Sequence, residues 1–313
     1  MSEERGSLGG RKIFKNPFGH YRAVWRIALY VAFVVTLFRL GGLFEHLFLP
    51  NRGENLGDYA LLLDRFAGKF FQMLFVLVPA MTLLRWFDKR PIPLLGIGFY
   101  RGAPRELCIG MLMGVLLIAL TVSVLSLGGL GSFSFNGFSA SALVYLLCAL
   151  LIFIVSAAYE EILFRGYIFQ ALIEGTSFWI TLGIFSLLFG AAHLSNAGAT
   201  VFSIAVTIVA GLFMGVVYFK TRALWMCIGA HFMWNWTMGP VFGMGLSDSK
   251  FLRRSVFAYE PAKSFLLHGQ DVMSEIVLGA LVSALTVYLW RAKWLRPAAY
   301  NRELWAKYPP RIQ

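Results

Sequence analysis

Apolar runs, each roughly long enough to cross a bilayer, recur from near residue 24 to near residue 290. A hydrocarbon core about 30 Å thick needs ~20 residues of helix to span it. Inside that core each backbone polar group has to be satisfied internally, which leaves little but helices for runs of this kind. The runs predict spans of about Val24 to Phe44, Phe70 to Trp86, Leu107 to Leu127, Ser141 to Ile173, Phe178 to His193, Thr200 to Phe219, Ala223 to Gly239 and Val272 to Trp290. Of the 313 residues, 58% are hydrophobic and 14% charged, well below the roughly 25% charged residues of soluble domains. The expected fold class is therefore all-α: a polytopic integral membrane protein of about eight transmembrane helices, one membrane domain over residues 1–313.

Net charge is +12, from 28 Lys and Arg against 16 Asp and Glu. In a soluble protein this would raise nucleic-acid binding. In a membrane protein it reads as basic residues gathered on the cytoplasmic side against anionic lipid, so lipid is the expected partner and nucleic acid is not. The basic segments are the N-terminus (Arg5, Arg11, Lys12, Lys15, Arg22, Arg26), residues 87–106, Lys220 with Arg222, and the tail from Arg291 to Gln313. The connections at 45–67 and 240–271 are mixed, and 128–140 and 194–199 carry no charge. That alternation predicts a multi-pass protein of the cell membrane with both termini cytoplasmic. The first run is too long for a signal-peptide core and lacks a small-x-small cleavage site. Residues 128–140 are expected to form a turn or re-entrant segment, and Gly110-x-x-x-Gly114 is a cue for close helix packing. Cys108, Cys148 and Cys227 lie in apolar runs without metal spacing and read as small core residues.

Against this background Ala158-Tyr159-Glu160-Glu161-Ile162-Leu163-Phe164-Arg165 stands out. A charge at membrane depth costs a few kcal/mol on insertion scales, so three in six residues define a site hypothesis. Four-residue spacing puts Glu161 and Arg165 on one helix face, able to pair. Glu160 lies about 100° further round, which leaves it as the candidate general base. His193 ends the fifth run in Phe189-Gly-Ala-Ala-His193, and His231 and Asn235 share a face of the seventh. His20, His46 and His268 lie in or beside connections and carry no such signal.

Glu160-Glu161-x-x-x-Arg165, Phe189-x-x-x-His193 and His231-x-x-x-Asn235, in that order, resemble the three motifs of the CAAX protease and bacteriocin-processing (CPBP, or Abi) family, which includes the eukaryotic CAAX prenyl endopeptidase. The resemblance covers about residues 141–239, the expected four-helix catalytic core. It implies an intramembrane glutamic endopeptidase acting on a peptide or protein, lipidated substrates included. Glu160 and His193 would activate water, His231 and Asn235 would stabilise the oxyanion, and Glu161 and Arg165 would support them. No cofactor is implied. The competing readings are zinc held by Glu160, His193 and His231, and a non-proteolytic immunity or scaffold protein. On straight spans Glu160 and His193 fall on opposite sides of the midplane, so their meeting requires tilt or a longer fifth helix, with a water-filled cavity between them.

Overall fold

The computed structural model describes residue 14 and residues 21–48, 57–196, 198–245, 255–263, 266–267 and 270–309. His20, His268, Glu54, Arg253, Arg254 and the outermost basic residues of both ends lie outside these. The architecture is all-α apart from two short ribbons. Helix α1 is Ala23–Phe48. Helix α2, Asp58–Thr82, runs on through a π turn at Leu83–Phe87. Helix α3 is Ala103–Leu127. Helix α4 starts as Ala140–Glu161, widens into a π turn at Ile162–Tyr167 and ends as Ile168–Gly175. Helices α5 (Phe178–Ala192) and α6 (Val201–Thr221) follow. Helix α7, Trp225–Trp236, also ends in a π turn, Thr237–Val241. Helix α8 is Met273–Arg291 and α9 is Ala299–Lys307.

Six of these helices are long and apolar enough to cross a membrane: α1, α2, α3, α4, α6 and α8. The predicted fifth and seventh spans are present but short. Helix α5 has 15 residues, about 22 Å at 1.5 Å per residue, and α7 has 12 before its π turn. Many large apolar side chains are exposed on the long helices, as on α1 with Val35, Leu40, Leu43 and Leu47. Lipid, not water, matches such a surface.

Two expectations need correction. The second helix starts at Asp58, so Asp58, Asp64 and Arg65 are helical and not part of a connector. A helix can outrun the hydrocarbon layer and carry its polar turns beyond it, which hydropathy alone does not register. Residues 128–140 are not re-entrant. Gly131–Phe135 forms β1, antiparallel to β2 (Phe257–Pro261), with Phe133 opposite Tyr259. Phe133 stacks on Tyr259 at 4.8 Å and meets Phe242 edge-on at 5.8 Å. The alternating Ser-Phe sequence of β1 puts its aromatic rings on one face. Strands β3 (Leu266–Leu267) and β4 (Gln270–Asp271) form a second small pair.

Backbone-to-backbone contacts hold the helices that matter for the site. A Cβ on Gly110 would overlap the Met226 carbonyl, and one on Gly114 would lie 2.5 Å from the Ala230 carbonyl, so α3 and α7 touch main chain to main chain. The Gly-x-x-x-Gly cue therefore marks a real contact. Gly211 of α6 meets the Ser186 backbone of α5 in the same way, and Gly190 of α5 makes room for the Ile208 side chain of α6. Short connections are fixed by caps: Ser177 accepts from the Ile180 N–H to start α5, and Thr200 and Ser203 form a reciprocal capping box at α6.

The start of α1 and the residues after α9 meet in a buried ion cluster that the sequence did not announce. The Arg26 guanidinium bonds Glu174 and, at 2.8 Å, Asp88. Arg90 bonds the other Glu174 oxygen and the carbonyls of Tyr308 and Pro309. The four side chains are between 2% and 4% exposed, so each charge depends on the others for compensation.

Candidate active site

The site is assembled from α4, α5, α6 and α7. Glu160 and Glu161 end the regular part of α4, just before the π turn that holds Arg165. Single π turns inserted in α-helices occur often at functional sites. Glu161 is fully buried, and its Oε1 accepts from Arg165 Nη1 at 3.2 Å. The expected pair is therefore present. Arg165 also donates to the Gly211 carbonyl of α6 at 3.3 Å and lies 4.5 Å from the centre of the Phe189 ring.

The same Glu161 oxygen is 2.8 Å from His231 Nδ1. Sequence reasoning missed this link because four-residue spacing already gave Glu161 a partner. Glu161 thus ties the guanidinium of its own helix to the imidazole of α7. Ionised beside Arg165, it can only accept, so His231 Nδ1 carries a hydrogen. The ring then turns Nε2 toward Glu160, with Nε2 3.7 Å from Glu160 Oε2.

His193 follows the last helical residue of α5, as its C-cap. Its Nδ1 is 2.7 Å from the Phe189 carbonyl. A carbonyl only accepts, so Nδ1 donates and Nε2 holds the lone pair in the neutral ring. Nε2 lies 3.9 Å from Glu160 Oε2. The two residues therefore meet, and not through a longer fifth helix, since α5 ends at Ala192 with His193 as its cap. Phe189 contributes more than its motif position suggests. Its carbonyl orients His193, and its ring lies 4.9 Å from the His193 ring and 6.0 Å from that of His231.

Glu160 Oε2 is buried and makes no hydrogen bond among the described residues, although two imidazole nitrogens stand within 4 Å of it. The side chains of Glu160 and His193 are 17% and 23% exposed, whereas that of Glu161 is 0% exposed. The site therefore opens on the Glu160–His193 side and is sealed behind Glu161. Asn235 lies one helical turn beyond His231, half-buried, outside the polar contacts that join the other residues. Lys69 of α2 places its ammonium 5.8 Å from the ring centre of Tyr159, the neighbour of Glu160. Its signal was its helical spacing from the charged residues before it.

No group of three or more His, Cys, Asp or Glu side chains among the described residues has an arrangement that could hold a metal ion. No curated protein and no solved structure matches this chain. Residues 142–237 do match a family model, that of the Type II CAAX prenyl endopeptidase Rce1-like proteins. The matched segment runs from the first turn of α4 to the residue after Trp236, and so contains Glu160, Glu161, Arg165, His193, His231 and Asn235. Over that segment the chain is similar to the CAAX prenyl endopeptidases, a family of membrane proteases.

Proposed function

We propose that the protein is an intramembrane endopeptidase that hydrolyses peptide bonds with a water activated by Glu160 and His193. The observation that carries this reading is the pair of acceptors facing each other, Glu160 Oε2 and His193 Nε2, 3.9 Å apart on side chains that are partly exposed. Across such a gap a single water can bridge two polar groups. Donating one hydrogen to each acceptor, that water keeps a lone pair for the substrate carbonyl carbon. Glu160 takes a proton as the carbon–oxygen bond forms and returns it to the leaving amine, the task of a general acid–base.

The carbonyl oxygen becomes an oxyanion and requires donors. The Asn235 amide supplies one, on the same face of α7 as His231. His231 Nε2 donates only when the ring carries both hydrogens, because Nδ1 is already committed to Glu161. Glu160 and Glu161 flank that ring and balance its charge in the donating form. Donors of this kind are worth about 2.7–4 kcal/mol each. Glu161 and Arg165 would hold His231 in place and not react themselves.

The substrate class that fits is a peptide presented from the membrane, lipidated or amphipathic, entering on the Glu160–His193 side. We assign the protein to the cell membrane with its basic end cytoplasmic. The test compares membrane-bound and secreted peptides from cells carrying wild-type protein and a Glu160→Gln variant. Cleavage products should vanish in the variant while the purified protein keeps its unfolding temperature. Persistence of the same products would refute the reading and leave a non-proteolytic immunity or scaffold role. The zinc reading is checked on the purified enzyme: cleavage undiminished by a strong chelator eliminates it, and loss restored by Zn²⁺ establishes it.

A further inference from the structure

Away from Glu160, at the end of the bundle where α3 begins, α6 ends and the chain leaves α8, lies a cavity of 470 Å³. Its rim carries three arginines, Arg105, Arg296 and Arg302, and none of them makes an ion pair within the described residues. The carboxylate on its wall, Glu106, is engaged by the Tyr100 hydroxyl, which donates to it. Tyr100 lies outside the membrane spans. Burial, and then the bond to Glu106, push its phenol up, so it remains a donor at neutral pH. Three cationic heads therefore face a space whose acid is already occupied.

Apart from Thr221 the rest of the lining is largely apolar, with Ile109 of α3, Met226 of α7 and Leu295 of the tail. The first turns of α3 and α9 border it as well, through Gly102 and Ala299. N–H groups of first turns favour anions, and here they reinforce the arginines. A volume of this order suits a small-molecule or headgroup site. The location matters equally. The ends of three helices mark the boundary between hydrocarbon and headgroups, where basic pockets between membrane helices meet anionic lipid.

We propose that this cavity binds a phosphate group, held by Arg105, Arg296 and Arg302 with the apolar wall beneath it. Guanidinium forks match phosphate oxygens in pairs. The apolar floor points to a phosphate that carries acyl chains, and free phosphate is the other source of the same chemistry. The site shares no residue with the proteolytic one, so Glu160→Gln protein should bind as wild type does and the two proposals fail separately.

The test uses the full chain purified in detergent, with binding read by native mass spectrometry and by shift of the unfolding temperature. The probes are phosphatidylglycerol, phosphatidylcholine and inorganic phosphate. Wild type should retain phosphatidylglycerol in preference to phosphatidylcholine. A double variant, Arg105→Gln with Arg302→Gln, should bind it about thirtyfold more weakly, roughly fivefold for each arginine. The control pair Arg291→Gln with Lys293→Gln removes the same charge from exposed positions that do not line the cavity. It should weaken binding by less than about fivefold. If the double variant does not fold, Arg296→Gln alone serves, with an expected loss of about fivefold. Inorganic phosphate binding through the same arginines without lipid selectivity would support the site and assign it to free phosphate. Equal weakening by the control pair, or no weakening by the cavity variants, would overturn it.

Discussion

The contact between α3 and α7 offers a sharp test of how the site is held, because Gly114 itself has no side chain to take part in the reaction. Consider Gly114→Ala. The added Cβ would stand 2.5 Å from the Ala230 carbonyl and 2.7 Å from the Trp234 N–H nitrogen. Carbon–oxygen contacts of this type ordinarily sit at about 3.3–3.6 Å, so the helices must part by about 1 Å. His231 follows Ala230 directly, and its Nε2 is already 3.7 Å from Glu160. A misplacement of about 1 Å in a catalytic group costs on the order of 100-fold in rate. The same overpacking should cost about 1–3 kcal/mol of stability, too little to unfold the protein. The assay is cleavage of a peptide identified by the comparison of wild-type and Glu160→Gln cells, together with thermal unfolding. Gly183→Ala is the matched control. It lies on α5, the helix that carries His193, and its Cβ would meet nothing within 4 Å. That change should leave the rate unaltered and add up to about 1 kcal/mol of stability by helix propensity. A Gly114→Ala enzyme cleaving within about threefold of wild type, a difference under 1 kcal/mol in barrier, would refute the argument that the glycine contact places His231. Equal losses in both variants would refute it too.

Other perturbations separate the two adjacent glutamates and the distant clusters. Glu161→Gln leaves Arg165 buried without a counter-ion and should cost about 3–5 kcal/mol in thermal unfolding. Glu160→Gln, whose Oε2 makes no hydrogen bond among the described residues, should unfold close to wild type. Glu174→Gln takes the carboxylate from Arg90 and leaves Arg26 with Asp88 alone, and should cost about 3–5 kcal/mol, while activity per folded molecule stays unchanged. Phe133→Ser removes the stack on Tyr259 and should weaken the β1–β2 ribbon by about 0.5–1.5 kcal/mol beyond lost burial. Faster amide hydrogen exchange confined to residues 131–135 and 257–261 is the expected readout.

Much of the site was legible in the sequence because charge inside apolar runs is expensive and therefore conspicuous. Glu160, Glu161, Arg165, His193 and His231 stood out for that reason, and the structure brings them together. Asn235 was legible as the fourth residue on from His231, yet it stands outside the polar contacts of the group. The bond from Glu161 to His231 was hidden because local spacing offered Arg165 as a sufficient partner, and spacing says nothing about a helix seventy residues away. The start of α2 was missed because Asp58, Asp64 and Arg65 look like loop residues to a hydropathy window. For β1, the alternation of Ser and Phe was present, but its partner strand lies more than a hundred residues downstream in a stretch that reads as a polar loop. The ion cluster of Arg26, Asp88, Arg90 and Glu174 was hidden in segments that look like ordinary charged flanks.

That cluster also bears on how the chain is made. Its two cations and two anions come from the start of α1, the connection after α2 and the last turns of α4. All four have been synthesised by residue 174, before any of the helices from α5 onward exists. The first half of the protein can thus neutralise its own buried charge as it leaves the ribosome, without waiting for the second half. The carbonyls of Tyr308 and Pro309, which also bond Arg90, arrive more than a hundred residues later. The order of synthesis makes the tail a final closure laid over a core that is already electrically balanced.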